Sequence, residues 1–163
     1  MSGRDDWRFL SMGRLKADHG WSMKAHSHAF HEMIIVLKGE QHVRMKDESV
    51  TACAGDVLLY RAGEAHEEWS APYVRLETLF VAFEWPSIPE GTPLKTHDKM
   101  GRMRAAASWL HDERKTYYAS AGDVRHGYTG ALLGEFLRLA GEKRDEMVEC
   151  SGPPCQEKSG GFL

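Results

Sequence analysis

The first half of the chain alternates short apolar runs with turns. All six prolines follow residue 71, and before that point the breaks between runs fall at glycine, as in proteins built of many short strands. Seven runs rich in Val, Ile, Leu and aromatic residues are predicted as strands: 7–15, 31–38, 40–46, 49–53, 56–60, 65–69 and 73–85. Their number and spacing predict a sandwich or a small barrel.

The run over residues 31–38 differs from the others because both of its faces are apolar. Met33 and Ile35 alternate with Ile34 and Val36, so neither face of such a strand suits water. One face would line the interior of the sandwich or barrel. The opposite face needs a cover, either from helices later in the chain or from a second copy of the protein.

The hydrophobic period changes after residue 93. The segment 84–93 holds three of the six prolines and is predicted to be a connector, because proline disfavours both sheet pairing and helix interiors. Apolar residues then recur every three or four positions, which predicts one helix over about 99–118 and a second over about 124–147. The apolar stripes consist of Met100, Met103, Ala107, Leu110 and Tyr117 in the first helix, and of Tyr128, Leu132, Phe136, Leu139 and Ala140 in the second. Three glycines within the second helix indicate close packing: Gly127, Gly130 and Gly134.

These patterns divide the chain into three parts. Residues 1–93 are predicted to form the β domain, and residues 94–149 a helical pair packed on the barrel or on a dimer partner. Residues 150–163 show no periodicity and are predicted to be a disordered tail.

Composition adds limits on partners and location. A domain of 163 residues buries about 70% of its unfolded surface and needs no metal simply to fold. The net charge of -3 argues against nucleic acid as the main partner of these residues. The longest apolar runs, 33–37 and 79–83, are far shorter than the roughly 20 residues of a spanning helix. The N-terminus has no signal-like apolar segment, so we expect a cytoplasmic protein without membrane contact.

The nine histidines supply the candidate chemistry. In a strand, residues two apart share a face, so His26 and His28 are predicted to enter the interior, and Glu32 has the same parity. His66, at the end of a separate predicted strand, would complete the set, whereas His31 has the opposite parity and is expected to face away, toward solvent. Three imidazoles and one carboxylate suit Fe(II), Mn, Ni, Cu or Zn. Without an ion, the same histidines would form a polar pocket that binds an organic ligand directly.

The spacing of these residues resembles the two sequence motifs of the cupin superfamily. The first motif is matched by Gly20, His26, His28, Glu32 and Gly39. The second is matched by Gly55, Gly63 and His66, whereas Arg61 and Ser70 stand where the family has Pro and Asn. The resemblance implies a mainly β fold, the double-stranded β-helix, in which antiparallel strands form a small barrel. It also implies that the matched histidines and glutamate are the metal ligands.

The order of elements further resembles the ligand-sensing and dimerisation domain of AraC-type transcriptional regulators, in which a cupin barrel precedes two antiparallel helices. The segments HSHAFHEMIIVLKGE and GDVLLYRAGEAHEEW carry the resemblance, and RMRAAASWLHDERK and GALLGEFLRLAGEKR extend it. It implies a homodimer formed through the helices, with Leu132, Phe136 and Leu139 as the dimer face. No helix-turn-helix segment follows the second predicted helix, so we expect this chain not to bind nucleic acid itself.

Two functions are compatible with these features. The first is a sensor that binds a small molecule, a divalent transition metal or both in the barrel, and that relays occupancy to the helices. The second is a metal-dependent enzyme of dioxygenase-like or isomerase-like type that uses the same four residues. The motif segments contain no clear second acid or base, which favours the sensor. Tyr60, Arg61 and Glu64 are predicted as contacts to the ligand.

Overall fold

The strands and helices follow the order that the hydrophobic pattern predicts. The computed structural model describes residues 5–146. Within that range lie nine strands, β1 (Arg8–Ala17), β2 (Ser22–His26), β3 (His31–Lys38), β4 (Glu40–Arg44), β5 (Ser49–Cys53), β6 (Asp56–Tyr60), β7 (His66–Ser70), β8 (Leu76–Glu84) and β9 (Lys95–His97), and two helices, α1 (Arg102–Glu113) and α2 (Ala121–Glu146). The mainly β architecture with two C-terminal helices is confirmed. The predicted disordered tail, 150–163, lies outside the described residues.

The strands form two antiparallel sheets. The larger sheet has the order β1-β8-β3-β6-β9, and the smaller has the order β2-β7-β4-β5. The sheets stay separate and do not close into one hydrogen-bonded barrel, so the predicted double-stranded β-helix takes the form of a β-sandwich. Strand β3 lies at the centre of the larger sheet, between β8 and β6.

Two strands were not predicted from the apolar pattern. Strand β2 has the sequence SMKAH and is exposed over most of its length. Strand β9 has three residues and extends the larger sheet beside β6. Backbone pairing holds both strands, and neither buries an apolar face of its own. Hydrophobic periodicity therefore does not reveal them.

Strand β3 separates two apolar layers. Its side chains Ile34 and Val36 lie in the cluster between the two sheets, the inner layer. Met33 and Ile35 point the other way, into a cluster that contains residues of both helices, the outer layer. The helix pair of the same chain is therefore the cover that the two-faced strand requires.

The helix residues predicted to form a dimer face are used inside this outer layer. Leu132, Phe136 and Leu139 are 1%, 1% and 4% exposed and pack with residues of the larger sheet. The apolar stripe of α2 is thus covered by the sheet of its own chain. The homodimer and its contact face remain predictions.

Helix α1 ends earlier than its predicted limit of residue 118. The guanidinium of Arg125 donates to the backbone carbonyl oxygens of Glu113 and Thr116, at 3.2 and 3.1 Å. Tyr117, predicted on the apolar stripe, lies beyond the helix and is 96% exposed. Neither α1 nor α2 combines the length and the apolar character of a membrane span.

Helix α2 approaches the N-terminal segment at Gly130. A Cβ atom there would lie 2.5 Å from Cζ2 of Trp7, so only glycine fits without a shift of the indole. Nε1–H of Trp7 donates to the carbonyl oxygen of His126 at 3.1 Å, and the two rings stack at 5.0 Å. At Gly127 and Gly134 a Cβ would meet no atom within 4 Å. The predicted close packing therefore holds at one of the three glycines.

Candidate metal centre and adjoining cavity

Three histidines, called the triad below, meet at the ends of strands. His26 ends β2 and His66 begins β7, and the two residues lie opposite each other in the ladder between these strands. His28 lies two residues beyond β2, in the loop to β3, although it was predicted in the same strand as His26. The ring centroids are separated by 4.4 Å (His26–His66), 5.1 Å (His28–His66) and 5.7 Å (His26–His28).

The backbone orients each imidazole of the triad. In each ring Nδ1–H donates to a backbone carbonyl two residues away, at 2.9 Å for His26, 2.9 Å for His28 and 3.1 Å for His66. Because a carbonyl oxygen only accepts, Nδ1 carries a proton, and in the neutral ring the lone pair lies on Nε2. The ligand atoms of the three rings lie within 4.8 Å of one another. The buried Nε2 atoms of His28 and His66 have no hydrogen-bond partner in the described part of the chain. A metal ion is bound well by several imidazole nitrogens that lie close together, when the other nitrogen of each ring donates its proton to a backbone carbonyl.

Glu32, the fourth predicted ligand, stands beside the triad. Its Oε2 lies 3.7 Å from Nε2 of His28. Burial, together with the nearby Glu68 carboxylate, raises the pKa of Glu32 to about 7. Burial lowers the pKa of His66 to about 4, so this imidazole stays neutral in mildly acidic solution. A cation held by the triad would favour the ionised form of Glu32.

Aromatic stacking and a backbone bond position the rings of the triad. The ring of Phe30 stacks on His28 at 4.3 Å, and that of Tyr60 stacks on His66 at 4.1 Å. The N–H of Gly63 donates to the carbonyl oxygen of His28 at 2.8 Å. Gly63 has a φ of 80°, a conformation that glycine adopts without strain. The turn before β7 is thereby tied to the loop that holds His28.

His31 differs from its prediction in one respect. It faces away from the triad, as its parity predicts, but it is 9% exposed and therefore buried, not solvated. The N–H of Ala62 donates to its Nδ1 at 2.9 Å, and its Nε2–H donates to the carbonyl oxygen of Trp85 at 3.3 Å. Burial lowers the pKa of His31, in keeping with a neutral ring. His31 thus links the turn before His66 to the end of β8 and the outer layer.

A buried network beside the triad was missed by the sequence reasoning. The hydroxyl of Tyr60 donates to Oε1 of Glu68 at 2.7 Å, and Nε2 of Gln41 donates to the same oxygen at 2.6 Å. Burial raises the pKa of both Glu68 and Tyr60. Glu68 follows His66 by two residues in β7 and so shares its face, which is a signal that could have found it. Gln41 carries no comparable signal, because its role depends on the pairing of β4 with β7.

A cavity of about 260 Å³ adjoins the triad. Its volume is slightly smaller than that of pockets that bind drug-sized ligands. Half of its lining residues are apolar, and the five polar ones include one member of the triad. The lining residues are Leu15, Trp21, Met23, His26, Glu32, Ile34, Gln41, Glu68, Thr78 and Phe80.

The predicted ligand contacts occupy three different environments. Tyr60 is fully buried and touches the triad through its ring. The guanidinium of Arg61 donates to the carbonyl oxygen of Pro89 at 2.7 Å. Glu64 is exposed and lines a separate surface cleft with residues 45–48. Neither Arg61 nor Glu64 is among the residues that line the cavity beside the triad.

The two facing antiparallel sheets, with three histidines gathered at one end, are the fold that the cupin-like motifs predict. The chain belongs to the AraC-like ligand binding domain family, whose model matches residues 11–149. No curated protein matches the chain.

Three solved structures are similar to part of this chain. YhaK from Escherichia coli is 19% identical, with a TM-score of 0.50, over 59% of this chain and 45% of YhaK. A cupin superfamily protein from Desulfitobacterium hafniense is 15% identical, with a TM-score of 0.42, over 52% of this chain and 84% of that one. A predicted oxalate decarboxylase from Thermotoga maritima is 28% identical, with a TM-score of 0.44, over 48% of this chain and 69% of that one. The similarity to YhaK supports the fold and says nothing about activity.

Proposed function

We propose that this AraC-like ligand-binding cupin domain is a metal-containing sensor. Nε2 of His26, His28 and His66 would hold a divalent transition metal such as Fe, Mn, Ni, Cu or Zn, with Glu32 as a fourth ligand. A small molecule would bind in the adjoining cavity, next to the ion. One observation carries the proposal: the ligand atoms of three imidazoles lie within 4.8 Å of one another, and Nε2 of His28 and of His66 are buried without a hydrogen-bond partner among the described residues.

The fit to an ion is chemical as well as geometric. A buried polar nitrogen without a partner destabilises the fold by about 1–3 kcal/mol, and two such atoms lie in the triad. A metal ion would satisfy both of them at once. The ion would supply Lewis acidity and an open coordination position for an oxygen or nitrogen atom of the ligand. The protein's part is to keep Nδ1 protonated through the three carbonyl bonds.

The route from the cavity to the helices runs through strand β3 and His31. Ile34 lines the cavity, whereas its neighbours Met33 and Ile35 contact the outer layer. His31 connects the turn before His66 with Trp85, which belongs to that layer. A ligand that shifts β3 would therefore bias the packing of the helices, provided that it binds one arrangement more tightly than the other. Homodimerisation and a cytoplasmic location stay predictions.

Metal content tests the proposal directly. We expect the purified protein, loaded with Zn²⁺ or Ni²⁺ and then dialysed, to retain about one ion per chain, and His66→Ala to lose most of it because one of few protein donors is gone. His42→Ala is the matched control, since His42 is bonded to Thr51 and stacked on Trp69 outside the triad. Equal metal content in wild type and His66→Ala would overturn the proposal.

A metal-dependent enzyme is the second candidate, and one observation favours it. The carboxyl of Glu32 stands 3.7 Å from His28 and lines the cavity, where its ionised form could take a proton from a bound substrate. Turnover of diols, thiols or keto acids by the metal-loaded protein, lost in Glu32→Gln, would support an enzyme. Absence of turnover together with tight ligand binding would support the sensor.

A further inference from the structure

Strand β2 contributes to the triad and to the cavity wall at the same time. It ends with His26 of the triad and carries Met23 of the wall, and Trp21, directly before the strand, lines the same cavity. The strand lies at the edge of the smaller sheet and pairs only with β7. The contacts that hold β2 in place therefore determine both the position of one candidate metal ligand and the shape of the cavity.

The contacts of β2 with the rest of the chain are few. Four of its five residues are exposed, and Met23 is 44% exposed although it borders the cavity. The pairing of β2 with β7 comprises three residue pairs and is interrupted by a register shift between Met23 and His26. A strand with one neighbour and little buried apolar surface opens at a lower free energy than the core strands beside it.

The two ends of β2 are held in different ways. At the start, the N–H of Ser70 donates to the carbonyl oxygen of Trp21 at 2.9 Å, and Trp21 packs on the inner layer. At the other end, the ring of His26 lies 4.4 Å from that of His66, and its Nδ1–H donates within its own strand, to the carbonyl oxygen of Lys24. Among the described residues, no hydrogen bond joins the ring of His26 to another strand. An ion held by the triad would tie this end of β2 to β7.

We propose that a metal ion in the triad fixes the end of β2 against the sheet and thereby completes the wall of the ligand cavity. The inference rests on the proposed function, because it assigns the ion a regulatory part in the same sensor site. In metal-free protein the end of β2 opens independently of the core strands, whereas in metal-loaded protein its opening must also break the bond between His26 and the ion. A small molecule therefore meets a complete cavity only after the ion has bound.

Amide hydrogen exchange with and without Zn²⁺, followed by mass spectrometry of peptides, tests the proposal. In metal-free protein we expect the amides of β2 to exchange faster than those of the central strand β3, since β2 opens locally. At a free Zn²⁺ concentration about ten times the dissociation constant, exchange of β2 should slow about tenfold, because opening competes with ion binding. Exchange of β2 that is as slow as that of β3 without metal, or that is unchanged by bound Zn²⁺, would overturn the proposal.

Two variants of the triad localise the effect. His26→Ala and His28→Ala form a matched pair, because each removes one imidazole but only His26 belongs to β2. Both variants are saturated with Zn²⁺ at raised concentration, as checked by metal analysis. We expect the ion to slow exchange of β2 in His28→Ala and to leave it unchanged in His26→Ala. Equal slowing in the two loaded variants would contradict the proposal. If either variant takes up no ion, the comparison of metal-free with metal-loaded wild type decides alone.

Metal content measured on the same samples separates this inference from the proposed function. Wild-type protein that holds the ion but exchanges the amides of β2 as metal-free protein does would refute the regulatory part of the ion and leave the metal sensor standing. Wild-type protein that takes up no ion would overturn the proposed function, and this inference with it.

Discussion

The two sides of strand β3 are built from the same kind of sequence but serve different purposes. The outer layer packs Met33 and Ile35 against Phe136 and other residues of the helices. On the inner side, the apolar cluster gives way to Glu32 and the triad at one end of the sandwich. Of the three buried side-chain atoms without a partner among the described residues, two belong to the triad. The outer layer therefore supplies stability, whereas the inner site retains unsatisfied groups that a bound species would satisfy.

The largest expected effect is a loss of stability in the outer layer. Phe136 is 1% exposed, and Phe136→Ala should lower the free energy of unfolding by about 3–5 kcal/mol through lost burial and a cavity. Trp109→Ala is the control, because Trp109 is 55% exposed on α1; it should change stability by less than about 1 kcal/mol. Urea denaturation measures both. Similar losses in the two variants would show that α2 does not anchor the outer layer.

The second expected effect concerns Glu32 at the inner site and the pH dependence of the free energy of unfolding of metal-free protein. The pKa of Glu32 is raised from 4.5 to about 7 in the folded state, so the folded state binds more protons than the unfolded state between these values. The contribution of Glu32 to the free energy of unfolding is most favourable below pH 4.5 and is lost as the pH rises to 7, by on the order of 3 kcal/mol.

Glu32→Gln isolates this contribution. The variant should gain stability relative to wild type as the pH rises from 4.5 to 7, as measured by urea denaturation in the presence of a chelator. Glu40→Gln serves as the control on strand β4 of the smaller sheet, since Glu40 pairs with His42 away from the triad. If wild type and Glu32→Gln have parallel pH profiles, the carboxyl is not held in the buried environment that the structure describes.

A smaller effect tests the contact between α2 and the N-terminal segment. Gly130→Ala places a methyl group 2.5 Å from an atom of Trp7 and should destabilise the protein by about 1 kcal/mol, because the indole can shift only in part. Gly134→Ala meets no neighbour within 4 Å and should stabilise the helix by about 0.5–1 kcal/mol. Thermal melting distinguishes the two signs. Stabilisation by both alanines would mean that Trp7 does not pack on the helix.

The smallest change in stability belongs to the triad itself. His28→Leu removes a buried nitrogen that lacks a partner and also a bond from Nδ1 to a carbonyl. These changes oppose each other, so the stability of metal-free protein should stay within about 1 kcal/mol of wild type. Metal retention should nevertheless fall sharply. If His28→Leu lost much stability but kept its metal, His28 would stabilise the fold and would not be a metal ligand.

Much of the fold could be predicted because local patterns report local geometry. The two apolar faces of residues 31–38 predicted a strand covered on both sides, and the change of period after residue 93 predicted the helices. The apolar stripe of α2 was predicted, but its cover was left open between the barrel and a second chain, since amphipathicity does not state which of them packs on the stripe. The same holds for His31. Strand parity predicted that its side chain faces away from the triad, but it could not predict that other residues bury the side chain on that side.

The sequence by itself determined which histidines belong together. Strand parity grouped His26 with His28, and the position of His66 at the end of a separate run, together with the cupin-like spacing of the motif residues, predicted that it joins them; the three side chains do gather. Only the tertiary structure decided that Glu68 and Gln41 border the same cavity, that Arg61 turns toward Pro89, and that the helices close over their own sheet. Those features depend on the pairing of distant strands and the packing of layers, which spacing along the chain does not encode.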